Sequence, residues 1–248
     1  MSTPSAQGRC GAIAFVFAIA LPAAALARPA ETDFPVVLGT FSTTLVGSLP
    51  ARTENVRLAA AALDGAILRP GEALSFNKRV GPRTRERGYQ DAPVILRETR
   101  QLQTGGGVCQ VASTVFVAAM VAGLSPLERW KHSSLVDYIP LGEDATISWG
   151  VKDLRFANDL DQAIRLRVEV VGSTLSARIE GESTPDASFE LETVARDVPA
   201  EAGESDVPGH EVELYRVTHG GARDGERELV HRDVYPPSIA RAAAEGTP

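Results

Sequence analysis

The residues best suited to chemistry surround one cysteine, Cys109, in the sequence Gly-Gly-Gly-Val-Cys-Gln at positions 105–110. The other cysteine, Cys10, lies in a segment with the features of an export signal, so no disulfide partner is expected for Cys109. An unpaired cysteine in an exported protein is a buried inert thiol, a link to a partner chain, or a nucleophile. The sequence around Cys109 favours a nucleophile.

A cysteine attacks a carbonyl as a thiolate, which the first turn of a helix favours through its free amides and its dipole. Cys109 stands at the start of such a helical stretch, and the glycines before it allow a sharp turn. Their amides, with that of Cys109 or Gln110, could stabilise an oxyanion. The alternatives are an apolar-like thiol that packs the helix start and a helix-end hydrogen bond for the Gln110 side chain. The expected oxyanion and substrate-binding residues are Gly106, Gly107, Gln110, Ser113 and Thr114.

The candidate general base is His132, which follows Cys109 by a helix, a turn and part of a strand. That separation allows a cysteine at a helix tip to face a histidine on a sheet, as in papain-like folds. The alternative for His132 is an ordinary surface residue. The weaker candidates, in or beside a C-terminal hairpin, are His210, His219 and His231.

A third group should orient the imidazole, and the sequence offers Asp137, Tyr138 and Asp144. Asp144 is chosen because it stands just before a predicted strand, with turn capping as its alternative role. Tyr138 is also a substrate-binding candidate. A zinc site at Cys109 and His132 is the other interpretation, but zinc needs three or four ligands and no CxxC or HxxxH spacing supplies them. Neither a metal nor another cofactor is expected.

Four arginines are candidate partners for a substrate carboxylate. They are Arg83, Arg85 and Arg87, in a basic loop at residues 80–89, and Arg155, in Asp-Leu-Arg-Phe at residues 153–156. A solvated loop accounts for the first three, and an ion pair with Asp153 accounts for Arg155. The sequence alone favours these structural roles, with Arg155 kept among the substrate-binding candidates.

Hydrophobic periodicity predicts two helices, at residues 54–63 and 110–123. Strands are predicted at residues 127–130, 135–139, 145–149, 164–171 and 175–179, the last two forming a hairpin, and a further hairpin pairs 212–218 with 226–233. The expected fold class is α+β, with N-terminal helices packed on a mainly antiparallel sheet. Cys109 is expected at a helix N-terminus, facing His132 on a strand.

The N-terminal residues and the overall charge indicate the compartment and exclude one class of partner. Arg9 precedes an uncharged apolar run at 11–21 and an Ala-Leu-Ala motif at 25–27, which predicts a signal peptide and a periplasmic or extracellular protein. No later stretch has the roughly 20 apolar residues of a membrane helix, so no integral membrane segment is expected in the mature chain. A net charge of −7 without a dense basic stripe excludes nucleic acid as a partner.

The candidate residues belong to a larger set of motifs. The set comprises residues 52–55, Leu63-Asp64-Gly65, Pro70-Gly71-Glu72, Ser75-Phe76-Asn77, Val80-Gly81-Pro82, Gly88-Tyr89, residues 105–114, His132-Ser133, Tyr138-Ile139-Pro140, Gly142, Asp144-Ala145-Thr146 and Asp153-Leu154-Arg155-Phe156. Together these motifs resemble the VanW family over roughly residues 38–181. Arg232-Asp233 and Tyr235-Pro236 resemble the ending of the same family.

The resemblance implies a substrate. The family is named for an accessory member of glycopeptide-resistance gene clusters, and some members are reported as L,D-transpeptidases of the bacterial cell wall. Their catalytic cysteine lies in the segment matched here by Cys109, so the resemblance implies that the substrate is the peptide stems of peptidoglycan.

The expected organisation is a signal peptide (1–27), an extended segment (28–50), a VanW-like domain (51–182), a strand and hairpin extension (183–235) and a disordered tail (236–248).

Two functions of different classes fit these expectations. The first is an exported cysteine acyltransferase that acts on peptidoglycan stem peptides in the manner of an L,D-transpeptidase. Water in place of an amine acceptor would make the same site a peptidase. The second is a non-catalytic module that binds cell-wall peptides or a glycopeptide and needs no thiolate. The ionisation of Cys109 distinguishes the two.

Overall fold

The computed structural model describes residues 33–96, 99–199 and 208–237, which together form three α-helices and twelve β-strands. In chain order these are β1 (Val36–Thr44), α1 (Pro50–Leu63), β2 (Ala66–Leu68), β3 (Ala73–Ser75), α2 (Phe76–Val80), β4 (Asp91–Leu96), β5 (Thr99–Thr104), α3 (Val108–Val121), β6 (Ser125–Glu128), β7 (Arg155–Ala157), β8 (Ile164–Val171), β9 (Thr174–Gly181), β10 (Ser188–Val198), β11 (Gly209–His219) and β12 (Arg227–Tyr235). The predicted signal peptide, and the predicted tail from residue 238 onward, lie outside the described residues.

The core lies between helices α1 and α3 and a four-stranded antiparallel sheet in the order β1-β9-β8-β2. Strands β8 and β9 form a hairpin, and every second residue along most of each strand faces the core. Helix α3 is mostly apolar and is buried along most of its length. Its backbone approaches β1 at Gly39, where an added Cβ would lie 2.5 Å from the carbonyl oxygen of Ala118.

A second antiparallel sheet, β10-β11-β12, packs against the C-terminal end of α3. Val212 and Leu214 of β11 are fully buried. The guanidinium of Arg216 donates to the carbonyl of Leu124, just beyond α3, at 2.8 Å. Phe189 of β10 lies over Gly123, which has no side chain to displace it. The far end of β12 is thereby held close to the loop that follows α3 and β6.

The predicted α+β class is confirmed, and sheet predominates over helix. Both predicted helices exist, but α1 begins at Pro50, because proline suits a first turn whose amides need no helical partner. The two predicted hairpins, β8–β9 and β11–β12, are also present. No helix in the described ranges is long and apolar enough to cross a membrane.

Two of the strands predicted after α3, at residues 135–139 and 145–149, are wrong, and the strand predicted at 127–130 is displaced. Strand β6 ends at Glu128, and residues 129–154 are irregular except for one bridge between Ser148 and Lys152. His132 therefore lies in a loop and not on a strand. Tyr138 and Ile139 pack against the core from this loop, which explains why their segment has the apolar pattern of a strand without strand pairing.

Candidate active site

Cys109 is the second residue of α3, and the glycine turn before the helix fixes its position. Gly107 precedes the helix with a φ of 104°, a left-handed conformation that favours glycine. Gly106 lies so close to β4 that an added Cβ would be 2.5 Å from the carbonyl oxygen of Ala92. The Asn55 side chain, on α1, donates to the Gly106 carbonyl at 3.0 Å. Packing and conformation therefore both require glycine at these positions.

The Cys109 sulfur faces the loop that carries His132, Thr146 and Ile147. Its Sγ lies 3.5 Å from the Thr146 hydroxyl and donates to the Ile147 carbonyl at 3.7 Å. The imidazole of His132 lies close enough to the sulfur to lower the pKa of the thiol. Cys109 as a residue is only partly buried.

Asp144 holds the other side of the imidazole. Its Oδ2 lies 2.6 Å from Nδ1 of His132 and accepts the His132 backbone amide at 2.7 Å. Because Nδ1 is engaged by Asp144, Nε2 is the ring nitrogen that remains for the thiol. Cys109, His132 and Asp144 are thus brought together as thiol, imidazole and carboxylate, the order that nucleophilic catalysis requires.

The carboxylate of Asp144 is buried, and its second oxygen accepts two further hydrogen bonds. Arg129 donates to Oδ1 at 3.0 Å, and the phenol of Tyr235 donates to the same atom at 2.5 Å. Arg129 also pairs with Asp233, which like Tyr235 lies on β12. These partners compensate the cost of burying a charge, so the C-terminal sheet helps to position the imidazole.

The pKa values of Cys109 and His132 favour a thiolate–imidazolium pair. Burial raises the pKa of Cys109, but the hydrogen bond and charge of His132 outweigh burial and lower that pKa to about 7. Burial lowers the pKa of His132, but its hydrogen bond to Asp144 and its interactions with Cys109 raise that pKa to about 9. The charged pair therefore predominates between about pH 7 and 9. Burial would raise the pKa of Asp144, but His132, Arg129 and Tyr235 hold it far below its usual range.

Ser113 and Tyr138 border this arrangement. The Ser113 hydroxyl accepts the amide of Ala145 at 2.8 Å, and the carbonyls of Cys109 and Ala145, at 3.0 and 3.2 Å, are alternative acceptors for its single proton. It therefore fastens the loop that carries Asp144 to the first turns of α3. The Tyr138 ring packs edge-on against the His132 ring, and its hydroxyl lies 3.5 Å from that of Ser113.

Gln110 and Thr114 require a correction to the sequence expectation. Gln110 is 1% exposed, and its amide group donates to the Thr43 hydroxyl at 3.0 Å and to the Thr44 carbonyl at 2.9 Å. Both amide protons are thereby used, and none remains for an oxyanion. Thr114 is fully buried and bonds to the same Thr43 hydroxyl at 2.9 Å. These side chains fasten α3 to β1.

Arg155 also lies away from the position expected of it. It is exposed on β7, with its guanidinium 4.0 Å from Glu128. Asp153, the ion-pair partner that the sequence indicates for it, instead accepts the Ser75 hydroxyl at 2.5 Å and the Asn77 amide at 2.8 Å. Nothing in these contacts brings Arg155 to the thiol.

Of the remaining arginine, aspartate and histidine candidates, only Arg83 lies near the thiol. Arg85 forms an exposed ion pair with Asp91 at 2.5 Å, and Asp137 is exposed. Arg83, in contrast, lies near enough to Cys109 for their charges to interact. Arg87 is exposed, with its guanidinium over Gly81. His210 and His219 lie beside carboxylates on the C-terminal sheet. The Nε2 of His231 lies 2.8 Å from the Gly142 carbonyl. In the described part of the chain, no group of three or more His, Cys, Asp or Glu residues could hold a metal ion.

Thr146, Arg129, Asp233 and Tyr235 belong to the site although their residue types did not indicate it. Thr146, Asp233 and Tyr235 stand in motifs that carry the family resemblance, which was the available signal. Arg129 is separated from Asp233 by 104 positions, and Tyr235 from Asp144 by 91. Contacts over such separations have no local pattern in the sequence.

Replacing Tyr235 with phenylalanine should destabilise the protein, because a buried carboxylate loses one of its hydrogen bonds. We expect a loss of about 1–3 kcal/mol in the free energy of unfolding, measured by urea denaturation at pH 7. Tyr215→Phe is the matched control, since its hydroxyl bonds to Glu213 at 2.7 Å on the same sheet, away from Asp144. Equal losses in the two variants would contradict a special role for Tyr235.

Residues 51–180 match the family model described as VanW like protein. Over 138 residues the chain is 42% identical to the uncharacterized protein YoaR of Bacillus subtilis (strain 168), an alignment that covers 56% of this chain and 46% of that protein. Over 144 residues it is 28% identical to the vancomycin B-type resistance protein VanW of Enterococcus faecalis (strain ATCC 700802 / V583), covering 55% of this chain and 52% of that protein. The chain spans about half the length of these curated relatives. No solved structure gives a significant match.

Proposed function

The chain belongs to the VanW family, and on that premise we propose that it is an exported cysteine acyltransferase acting on the stem peptides of peptidoglycan. The observation that carries the proposal is the grouping of Cys109 with His132, whose imidazole is held by Asp144 and lowers the pKa of the thiol. A thiol whose pKa is lowered to about 7 is a nucleophile at neutral pH, and a module that only binds peptides has no use for one. The name of the Enterococcus faecalis relative, a vancomycin resistance protein, supports a substrate in the cell wall.

Acylation would begin with attack of the Cys109 thiolate on an amide carbonyl carbon of the stem peptide. A carbon–sulfur bond forms, and the carbonyl oxygen carries the negative charge of the tetrahedral intermediate. The His132 imidazolium donates its Nε2 proton to the leaving nitrogen. The carbon–nitrogen bond then breaks, which releases an amine and leaves a thioester on Cys109.

Deacylation would use the same groups in reverse. Neutral His132 accepts a proton from the incoming amine of a second stem peptide as that amine attacks the thioester. The carbon–sulfur bond breaks, and the thiolate and imidazolium are regenerated. One amide bond replaces another, so no energy-rich co-substrate is needed. Water in place of the amine would give hydrolysis and a shortened stem.

The oxyanion of the intermediate requires backbone donors near Cys109. The amides of Val108 and Gln110 donate to carbonyls of Gly105 and Gly107 at 3.2 and 3.0 Å. The amide of Gly106 likewise donates to the Gln103 carbonyl at 3.2 Å, so its expected oxyanion role is not retained. We therefore assign the oxyanion to the amides of Gly107 and Cys109.

The proposed activity is tested by incubating the purified protein with disaccharide-tetrapeptide and analysing products and protein by mass spectrometry. We expect a cross-linked dimer or a shortened stem, together with an acyl adduct on the peptide that contains Cys109. Folded protein that gives neither product nor adduct would reject the enzymatic function and leave the binding module. Saturable binding of the same muropeptide without any reaction would support that second function.

Export is part of this proposal, because stem peptides are cross-linked outside the cytoplasm. Its basis is the N-terminal charge followed by an apolar run and the Ala-Leu-Ala motif at residues 25–27. Expression of the whole chain in a bacterial host should yield a processed protein that begins at Arg28. Intact-mass measurement of the cell-envelope and culture-medium fractions tests this, and an unprocessed chain in the cytoplasm would contradict it.

A further inference from the structure

Arg83 is a half-buried arginine without a carboxylate partner in the part of the chain that the structure describes. Its Nη1 donates to the side-chain oxygen of Asn77 at 2.7 Å and to the Gly81 carbonyl at 3.1 Å. Within the same described ranges, its Nε and Nη2 have no protein acceptor, and neither atom is sealed from solvent. A fixed guanidinium with free donors is able to receive an anion.

Arg83 lies between the two segments that flank the thiol. On one side Arg83 packs on the glycine turn, where a Cβ added to Gly105 would lie 2.8 Å from the Cβ of Arg83. On the other side its guanidinium lies 6.0 Å from the ring centre of Trp149, two residues beyond Ile147, whose carbonyl contacts the sulfur. These contacts place the guanidinium beside the two segments that flank Cys109.

Asn77 keeps the guanidinium in this place. Its side-chain nitrogen donates to the carbonyls of Ser148 and Lys152 at 3.3 and 2.8 Å, while its oxygen accepts from Arg83. Asp153, the acidic neighbour, is already occupied by the Ser75 hydroxyl and the backbone amides of Asn77 and Leu154. In the described residues, Arg83 is therefore held in position without an ion pair, and Asp153 acts on its charge only from a distance.

Electrostatics agree with this placement. Burial lowers the pKa of Arg83, and the nearby Cys109 has the largest opposing effect. Arg85 and Arg87, the other two arginines of the basic loop, are exposed, and Arg85 is neutralised by Asp91. The structure thus separates three arginines that the sequence could not distinguish.

We propose that Arg83 binds the terminal carboxylate of the residue that leaves the acyl donor, which makes the site specific for peptides with a free C-terminus. The inference rests on the proposed acyl transfer at Cys109. In a C-terminal leaving residue, the carboxylate carbon is two bonds away from the amide nitrogen, and that nitrogen is bonded to the attacked carbonyl carbon. The carboxylate therefore lies close to the reacting bond. A cation beside the thiol contacts it only when the cleaved bond is the last in the chain. The substrate class is therefore a stem peptide cleaved at its terminal residue.

The test compares two stem tetrapeptides that differ only in a C-terminal carboxylate or amide. The rate of acylation of Cys109 by each peptide is measured by mass spectrometry in the wild-type protein, Arg83→Gln, Arg83→Lys and Arg85→Gln. We expect the wild-type protein to favour the carboxylate roughly ten- to hundred-fold. Arg83→Gln should abolish this preference, Arg83→Lys should retain part of it, and Arg85→Gln should leave it unchanged.

The ratio of the two rates is the decisive quantity, because loss of Arg83 also changes the electrostatic environment of the thiol and slows both peptides alike. A wild-type ratio near one, or an unchanged ratio in Arg83→Gln, would overturn the proposal while leaving acyl transfer intact. If neither peptide acylates Cys109, the proposed function fails, and binding of the two peptides to Cys109→Ala decides the role of Arg83. If the carboxylate peptide binds more tightly than the amide peptide, and Arg83→Gln removes this difference, carboxylate recognition is supported. Equal binding of the two peptides would reject it.

Discussion

Replacement of Cys109 by alanine should abolish formation of both the acyl adduct and the peptide products. Without the sulfur there is no nucleophile for the amide carbonyl, and His132 and Asp144 have no group to activate. Loss of a catalytic nucleophile costs on the order of ten thousand-fold or more in rate. The measurement is the initial rate of product formation from disaccharide-tetrapeptide, followed by mass spectrometry.

Cys109→Ser is the second variant, because it keeps a donor near the Thr146 hydroxyl and the Ile147 carbonyl. Serine ionises far less readily than cysteine, so this variant should be nearly as inactive. Both variants should stay folded, since the side chain is only partly buried and small. Product formation at the wild-type rate by folded Cys109→Ala would show that another group carries the reaction.

Replacement of His132 by alanine should have the second-largest effect. The imidazolium stabilises the thiolate and donates the proton to the leaving amine, so the variant loses both contributions. We expect a fall of about one hundred- to ten thousand-fold in the acylation rate. Stopped-flow or quenched measurements of adduct formation on Cys109 provide the rate.

His219→Ala is the matched control for this variant. His219 is an exposed histidine on the C-terminal sheet, with a carboxylate neighbour, Glu190, at 3.3 Å. It should acylate at the wild-type rate. A comparable loss in both variants, or full activity in His132→Ala, would exclude His132 as the general acid and base.

Local sequence patterns were sufficient for α3, which carries Cys109, and for the hairpins of the two larger sheets, but not for the loop that carries His132 and Asp144. Alternation of apolar and polar residues predicted the β8–β9 hairpin, and apolar residues at helical spacing predicted α3 with Cys109 at its start. The same reasoning failed for residues 135–139, because side chains such as Ile139 are buried by a loop that packs on the core. Apolar spacing records burial, and burial does not require a paired strand.

Residue type was a poorer guide than geometry for the polar side chains. Gln110 adjoins the cysteine in sequence, but it lies on the side of α3 that faces β1, so its amide is consumed by Thr43 and Thr44. Arg83 is 26 positions before Cys109, yet the fold brings it to the thiol. Long-range packing decides such cases, and it is not encoded in the spacing of residues.

The C-terminal sheet has a role that its distance from Cys109 in the sequence conceals. Tyr235 and Asp233 hold Asp144 and Arg129, and Asp144 orients His132. Asp233 and Tyr235 lie beyond the end of the family match at residue 180. The geometry of the imidazole therefore depends on a part of the chain outside the matched region.

The central claim is that His132 ionises the sulfur of Cys109, and the pH dependence of alkylation tests it most directly. The reaction of neutral iodoacetamide with the peptide that contains Cys109 is followed by mass spectrometry, which separates it from Cys10. The pKa of His132 is about 9, so the imidazolium is still present at the lower pH where the thiol titrates. We expect a midpoint at about pH 7 in the wild-type protein and a rise toward the ordinary thiol value of about 8.5 in His132→Ala. A midpoint at or above that ordinary value in both proteins would contradict the account.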